Sequence, residues 1–260
     1  MVSLTLERVG AGYGRRKILT EASTPPIAGG MLTALVGANA AGKSTLFRRI
    51  AGQLRGAGAV RLNGAAQADL RYMPQDTGMN AALTVYESII LALKQGEGGW
   101  RLSSGELAAV DEVLGRFGIA HLADRQLPEL SGGQRQAVSV AQTLVARPRV
   151  VLMDEPTSAL DLYRQFEVLE ALRAYAEETG AVMILALHYL NQVMRCCTTT
   201  IALAEGRLLA CGDTLEVLTP ELIRRLYGID SRVERCSRGC PMMIVDGPAA
   251  AWERGQARPA

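Results

Sequence analysis

Met31-Leu32-Thr33-Ala34-Leu35-Val36-Gly37-Ala38-Asn39-Ala40-Ala41-Gly42-Lys43-Ser44-Thr45 is the stretch that orders the rest of the chain. Its first six residues form a short, nearly continuous apolar run, the pattern of a strand buried on both faces. Gly37 to Ser44 then fits G-x-x-x-x-G-K-[ST], and residues 45–51 read as a helix that Gly52 could end. Taken alone, the octapeptide could be an ordinary Gly-rich turn. Between a strand and a helix it has the context that a phosphate-binding loop requires. Small residues let the backbone wrap a polyphosphate with successive N–H groups pointing inward, and the helix start adds its positive dipole end. In that arrangement Lys43 reaches the β- and γ-phosphates and Ser44 offers its hydroxyl to Mg²⁺.

A second apolar run, Val150-Val151-Leu152-Met153, ends in Asp154-Glu155. A buried strand here delivers two acids to its carboxyl end, where ligands sit in open α/β sheets. Asp154 is then expected in the Mg²⁺ shell, and Glu155 is expected to orient or deprotonate a water. Without the phosphate loop, such an acidic pair would read as a solvated loop.

Outward from these two stretches, residues 3–9 alternate as a half-buried strand, residues 10–14 are a turn-rich break, and a strand surrounds residues 18–19. Residues 59–62 followed by Asn63-Gly64 look like a strand entering a hairpin turn, and residues 70–73 are another strand. From about 84 to 147 the periodicity is helical, with Val85, Ile89, Ile90 and Leu93 on one face and a Gly-rich break at 96–99. Residues 162–178 form an amphipathic helix and 181–187 a strand. Residues 201–210 form a hairpin around Glu205-Gly206, and 219–227 a last helix with Thr219 as N-cap and Pro220 in its first turn. Residues 247–260, rich in Ala, Gly and Pro, are expected to fray.

The chain has 260 residues, 48% of them hydrophobic and 21% charged, with a net charge of +2. That balance suits a globular protein and provides no bulk electrostatic attraction for nucleic acid. No apolar run approaches the roughly 20 residues that span a bilayer, and the start lacks the basic and apolar pattern of a secretion signal. The five cysteines follow no zinc spacing, so reduced thiols are expected, with Cys236 and Cys240 able to form a labile disulfide.

Leu130-Ser131-Gly132-Gly133-Gln134, placed between the two nucleotide motifs, makes the chain resemble the ATP-binding subunits of ABC transporters. The resemblance runs from about residue 4 to residue 227. It implies a P-loop NTPase (RecA-like) α/β core, an N-terminal antiparallel β subdomain and an inserted helical subdomain at about 77–147. The expected division is a cassette at 1–230 and a partly flexible extension at 231–260. The resemblance also implies a head-to-tail pair in which Ser131 and Gly133, with Gly132 and Gln134 beside them, face the ATP held by the second copy. Tyr13 stands where a ring stacks on adenine. The phosphate loop with Thr45 holds the nucleotide, Gln75 senses Mg²⁺ and water, Asp161 lies in the loop crossing between subunits, and His188 contacts the γ-phosphate.

By the same resemblance, the partners are integral-membrane permease subunits and, indirectly, an external substrate-binding protein. The place of work is the cytoplasmic face of the membrane. The segments Leu187-His188-Tyr189-Leu190-Asn191 and Leu218-Thr219-Pro220-Glu221-Leu222, with Tyr227-Gly228-Ile229, liken it to subunits serving uptake of ferric siderophore, haem or cobalamin. The expected permease groove lies near residues 75–87, where Leu83, Val85 and Tyr86 either receive a permease helix or fill the subunit's own core. Ala40 departs from the Gly of many relatives and carries strain if its φ is positive. Tyr189 and Ala137 are further departures, neither at a group assigned to chemistry. Two other classes compete: a soluble ABC ATPase acting on DNA or ribosomes, and a non-catalytic interaction module. The absence of a long coiled coil or a second cassette weighs against the first, and the presence of Glu155 and His188 against the second.

Overall fold

A computed structural model describes residues 1–75, 81–95 and 101–249. Thirteen strands and eight α-helices follow one another along these residues. The N-terminal part contains β1 (Ser3–Glu7), β2 (Val9–Tyr13), β3 (Arg16–Ala22), β4 (Ile27–Ala28), β5 (Leu32–Val36), α1 (Lys43–Ile50), β6 (Ala59–Asn63) and β7 (Leu70–Met73). Three helices come next: α2 (Val85–Leu93), α3 (Ser104–Arg116) and α4 (Gly132–Leu144). The chain then returns through β8 (Val150–Asp154), α5 (Leu162–Thr179), β9 (Val182–Ala186), α6 (Leu190–Cys196), β10 (Thr199–Ala204) and β11 (Arg207–Asp213). It ends in α7 (Thr214–Val217), α8 (Pro220–Tyr227), β12 (Ile229–Arg235) and β13 (Pro241–Pro248).

The central sheet has the order β11-β10-β5-β9-β8-β7. From β10 to β7 every pairing is parallel, and β11 closes one edge antiparallel. Parallel pairing places the carboxyl ends of β5, β9, β8 and β7 side by side, and this brings the distant motifs together. The strand residues alternate between two cores, as a period of two requires. Val151, Met153, Met183 and Leu185 face a core shared with the helical segment. Val150, Leu152, Val182 and Ile184 face α1 and the N-terminal strands. Phe47, fully buried in that second core, contributes about 1.5–3 kcal/mol of transfer free energy.

Each of α2, α3 and α4 opens with a capping box, in which Thr84, Ser103 and Ser131 pair reciprocally with Glu87, Glu106 and Gln134. Two orphan N–H groups per helix are satisfied this way, so the segment breaks into helices at fixed points. The expected break at 96–99 lies outside the described residues.

Two local expectations fail. The break expected over residues 10–14 shrinks to a turn at Gly14-Arg15, since β2 runs on to Tyr13 and pairs with β3 across two irregularities in register. Gly12 permits this because a Cβ there would lie 2.1 Å from the Arg16 carbonyl oxygen. Asn63-Gly64 does not make a hairpin with the next strand. β6 instead pairs antiparallel with β1, and a 3₁₀ turn at Gln67–Asp69 carries the chain to the other sheet. Turn chemistry marks the reversal but not the partner.

Beyond α8 the chain forms the hairpin β12–β13, which packs on α6 and α8. Of the stretch expected to fray, only 247–249 are described. The cysteines of the described residues are all free: Cys196 and Cys197 are buried, and Cys236 and Cys240 flank the hairpin tip.

Candidate active site

The phosphate loop leaves β5 at Gly37, where a Cβ would lie 2.1 Å from the Leu203 carbonyl oxygen, so no larger residue fits. Ala40 has φ +62°, a left-handed conformation that strains an L-residue by about 1–2 kcal/mol. Gly42, at φ +107°, caps α1, whose first N–H groups have no acceptor in the helix and face the loop. Lys43 is only 7% exposed, and its Nζ donates to the carbonyls of Gly37 at 2.7 Å and Ala38 at 3.1 Å. Burial pushes its pKa down, while Glu155 and Asp154 pull it up. A buried ammonium held on two loop carbonyls at the start of a helix fits a polyanion. Thr45 is buried behind it, and Ala41 N donates to Ala38 O, which closes the turn over Asn39.

Asp154 ends β8 and is 2% exposed. Burial pushes its carboxyl pKa up, partly countered by a hydrogen bond with the Ser44 side chain. Its Oδ2 is buried without a hydrogen-bond partner among the described residues. An orphaned carboxylate oxygen beside a serine hydroxyl is a hard-oxygen pair of the kind Mg²⁺ takes, so these residues fit that ion.

Glu155 follows at φ +56°, also left-handed and strained. Its Oε2 accepts from Gln75 Nε2 at 3.0 Å, and its Oε1 lies 2.5 Å from His188 Nε2. Gln75 follows β7, and His188 follows β9 after Leu187. The pairings Met73 with Met153 and Asp154 with Ala186 therefore deliver Gln75, Glu155 and His188 to one place. Each carboxylate oxygen retains a lone pair for a water.

Ser131 caps α4, with Gly132, Gly133 and Gln134 in its first turn. Ser131 through Gln134, with Ala159, Leu160 and Asp161, line one side of an open cavity of about 930 Å³. No phosphate-loop residue lines that cavity. Asp161 caps α5 by accepting from Arg164 N at 2.9 Å. Tyr13 ends β2, is 44% exposed, and its hydroxyl accepts from Arg48 Nη1 at 3.0 Å, which ties it to the phosphate-loop helix. Val85 lies wholly in the core, whereas Leu83 and Tyr86 are partly buried against it.

Sequence reading missed the group joining α4 to the acids. Gln136, buried on α4, donates to the Glu155 carbonyl at 2.5 Å and accepts from Ala159 N at 2.6 Å. Gln165 and Gln192 continue this buried network: Gln165 donates to the carbonyls of Thr157 and Leu160, and Gln192 donates to Gln165. Gln136 shares its buried helix face with Ser139 and Thr143, so no lone polar residue marks it in the sequence. These bonds hold the loop from Glu155 to Leu160 against both α4 and α5.

Residues 25–158 match the family model described as ABC transporter. The iron(3+)-hydroxamate import ATP-binding protein FhuC of Bacillus subtilis is 34% identical, covering 90% of this chain and 90% of that protein. The hemin import ATP-binding protein HmuV of Bordetella bronchiseptica is 37% identical, covering 89% and 92%. Among solved structures, a chain of an inward-facing ABC transporter assigned to the metal-chelate type superposes with a TM-score of 0.83. It covers 94% of this chain and 98% of that one at 24% identity, a likeness that bears on the fold alone.

Proposed function

Because the chain belongs to the ABC transporter family, as an ATP-binding subunit whose ATPase activity is coupled to transport, we propose that it powers import of a ferric siderophore or a related metal chelate. The observation behind this cargo class is the set of relatives. Proteins sharing about a third of their residues with nine-tenths of this chain are import subunits for iron(3+)-hydroxamate and hemin. Haem is the second reading, favoured by the higher identity of the hemin relative, 37% against 34%.

In this reading Lys43 and the loop amides from Gly37 to Ser44, with Thr45 behind them, bind the phosphates of ATP, and Tyr13 stacks on the base. Glu155 takes or orients the proton of the attacking water, and Gln75 and His188 hold its two oxygens in place. Ser44, Asp154 and Gln75 would hold Mg²⁺, which supplies charge neutralisation at the phosphates when bound. Gln136 holds the Glu155 peptide and so keeps the base and the signature helix in one rigid unit. Ser131 and Gly133, with Gly132 and Gln134, meet the ATP of a second copy, and Asp161 belongs to the loop that crosses to it. The cavity lined by Ser131 to Gln134 includes no phosphate-loop residue, which favours a shared site over an internal one.

Among the described residues, no helix is long and apolar enough to cross a membrane. The work would therefore be delivered to permease subunits through the surface near Leu83 and Tyr86, at the cytoplasmic face, with an external substrate-binding protein supplying cargo. The test is uptake in a deletion strain. Loss of one ferric chelate, with sugar and amino-acid uptake intact, is expected. Loss of haem uptake alone selects the second reading. Normal uptake of every metal chelate together with loss of a sugar or peptide refutes the cargo class and leaves the ATPase assignment standing.

A further inference from the structure

Two segments that carried only a likeness of sequence have contacts in the structure. Tyr227 is the last residue of α8, and its hydroxyl accepts a hydrogen bond from the backbone N–H of Gly37 at 3.2 Å. Gly37 is the first residue of the phosphate loop, already pressed on its other side against the Leu203 backbone. The loop's first peptide is thus fixed between β10 and a side chain 190 residues further along. Burial pushes the Tyr227 phenol pKa up, so it stays a neutral hydroxyl through the physiological range.

The helix carrying this hydroxyl is itself anchored. Leu222, Ile223 and Leu226 are buried, and Gly228 turns at φ +66° into the C-terminal hairpin. Ala249 N, just past β13, donates back to Gly228 O at 3.0 Å and closes the unit. The same hairpin grips α6: Asn191 donates to the Met243 carbonyl at 3.2 Å and accepts from Met243 N at 2.7 Å. Helix α6 starts two residues after His188. The C-terminal unit therefore touches both the loop that starts at Gly37 and the helix that follows the histidine facing Glu155.

We infer that Tyr227 is a positioning residue of the nucleotide site: its hydroxyl holds the first peptide of the phosphate loop in the binding conformation, carried there by α8 and the C-terminal hairpin. This rests on the reading of Gly37 to Ser44 as the ATP loop. Without the hydroxyl, a partly buried N–H loses its acceptor, and the loop populates conformations that do not bind. Apparent affinity falls by the fraction of competent loops, about three- to tenfold for one such bond. The catalytic groups are untouched, so turnover at saturation is not expected to change in proportion.

The test compares wild type, Tyr227→Phe and Lys43→Ala as full chains. Equilibrium affinity is measured with a fluorescent N-methylanthraniloyl-ATP, and KM and kcat with phosphate release. Backbone amide exchange is followed across residues 37–42 without nucleotide. For Tyr227→Phe, Kd and KM should rise about three- to tenfold, kcat should stay within about twofold, and Gly37 should exchange faster. If wild type binds ATP, Lys43→Ala does not, and Tyr227→Phe keeps wild-type Kd and KM, the inference is overturned while the ATP site stands. A lower melting temperature with unchanged KM also overturns it, since that marks a merely structural contact. Should Tyr227→Phe fail to fold, exchange in the wild type decides. Gly37 more protected than Asn39 supports the inference, and equal exchange overturns it. If wild type binds no ATP, the site reading and the inference fall together.

Discussion

Replacing Glu155 with Gln removes one charge and little else, which makes it the sharpest probe of the proposed base. The backbone at φ +56° is equally strained for either residue, and the Glu155 carbonyl that accepts from Gln136 remains. An amide oxygen can still accept from Gln75. The amide NH₂ can donate to His188 Nε2 in the tautomer protonated at Nδ1. Both side-chain contacts survive, so unfolding free energy should change by no more than about 0.5 kcal/mol, or about 1–2 °C in melting temperature. ATP affinity should hold or rise, because a negative charge beside the phosphate site is gone while Lys43 remains. The loss falls on the chemical step. A positioned general base contributes about 10²–10⁴ in rate, which is about 2.7–5.4 kcal/mol of barrier. Single-turnover phosphate release should therefore drop by at least about a hundredfold with nucleotide binding intact. Size-exclusion chromatography with ATP should show an accumulated dimer. Hydrolysis within about tenfold of wild type would refute the assignment of Glu155 as base.

Ala40→Gly relieves a left-handed alanine worth about 1–2 kcal/mol but adds about 0.5–1 kcal/mol of unfolded-state entropy. The melting temperature should stay level or rise by up to about 4 °C, and a fall of more than about 2 °C would show that φ +62° is not what strains the loop. The shared site can be probed with mixed dimers of Ser131→Arg and Lys43→Ala, which leave one composite site whole. Gly133 is the poorer choice for this, since a Cβ there would lie 3.1 Å from the chain's own Ala159 carbonyl oxygen. Mixtures should hydrolyse ATP faster than either parent. No gain, with normal assembly, removes the support for a site shared between copies.

Much of the architecture could be read without coordinates because it depends on short-range chemistry. The apolar runs ending at Val36, Met153 and Leu187 mark the strands, since a strand buried on both faces needs no polar alternation. The start of the last helix follows from Thr219 and Pro220, a cap and first turn that need only neighbours within three residues. The phosphate loop and the acidic pair are likewise local, because a polyphosphate is gripped by consecutive backbone amides and a strand end presents adjacent acids.

What the sequence could not decide were contacts whose partners lie far apart along the chain. Nothing in Asn63-Gly64 says that β6 returns to β1, and nothing in Gly10–Gly14 says that a strand passes through glycines. In both cases the pairing partner on another strand decides. The convergence of Gln75 and His188 on Glu155 required the parallel register of β7, β8 and β9. Gln136 was invisible because its value lies in two backbone groups outside its own helix, and Tyr227 because its acceptor role belongs to a loop 190 residues away. Residues matched to local backbone needs leave a pattern in the sequence. A single hydrogen bond closing a long loop leaves none, because any polar side chain of the right length satisfies it and only the tertiary fold brings one within reach.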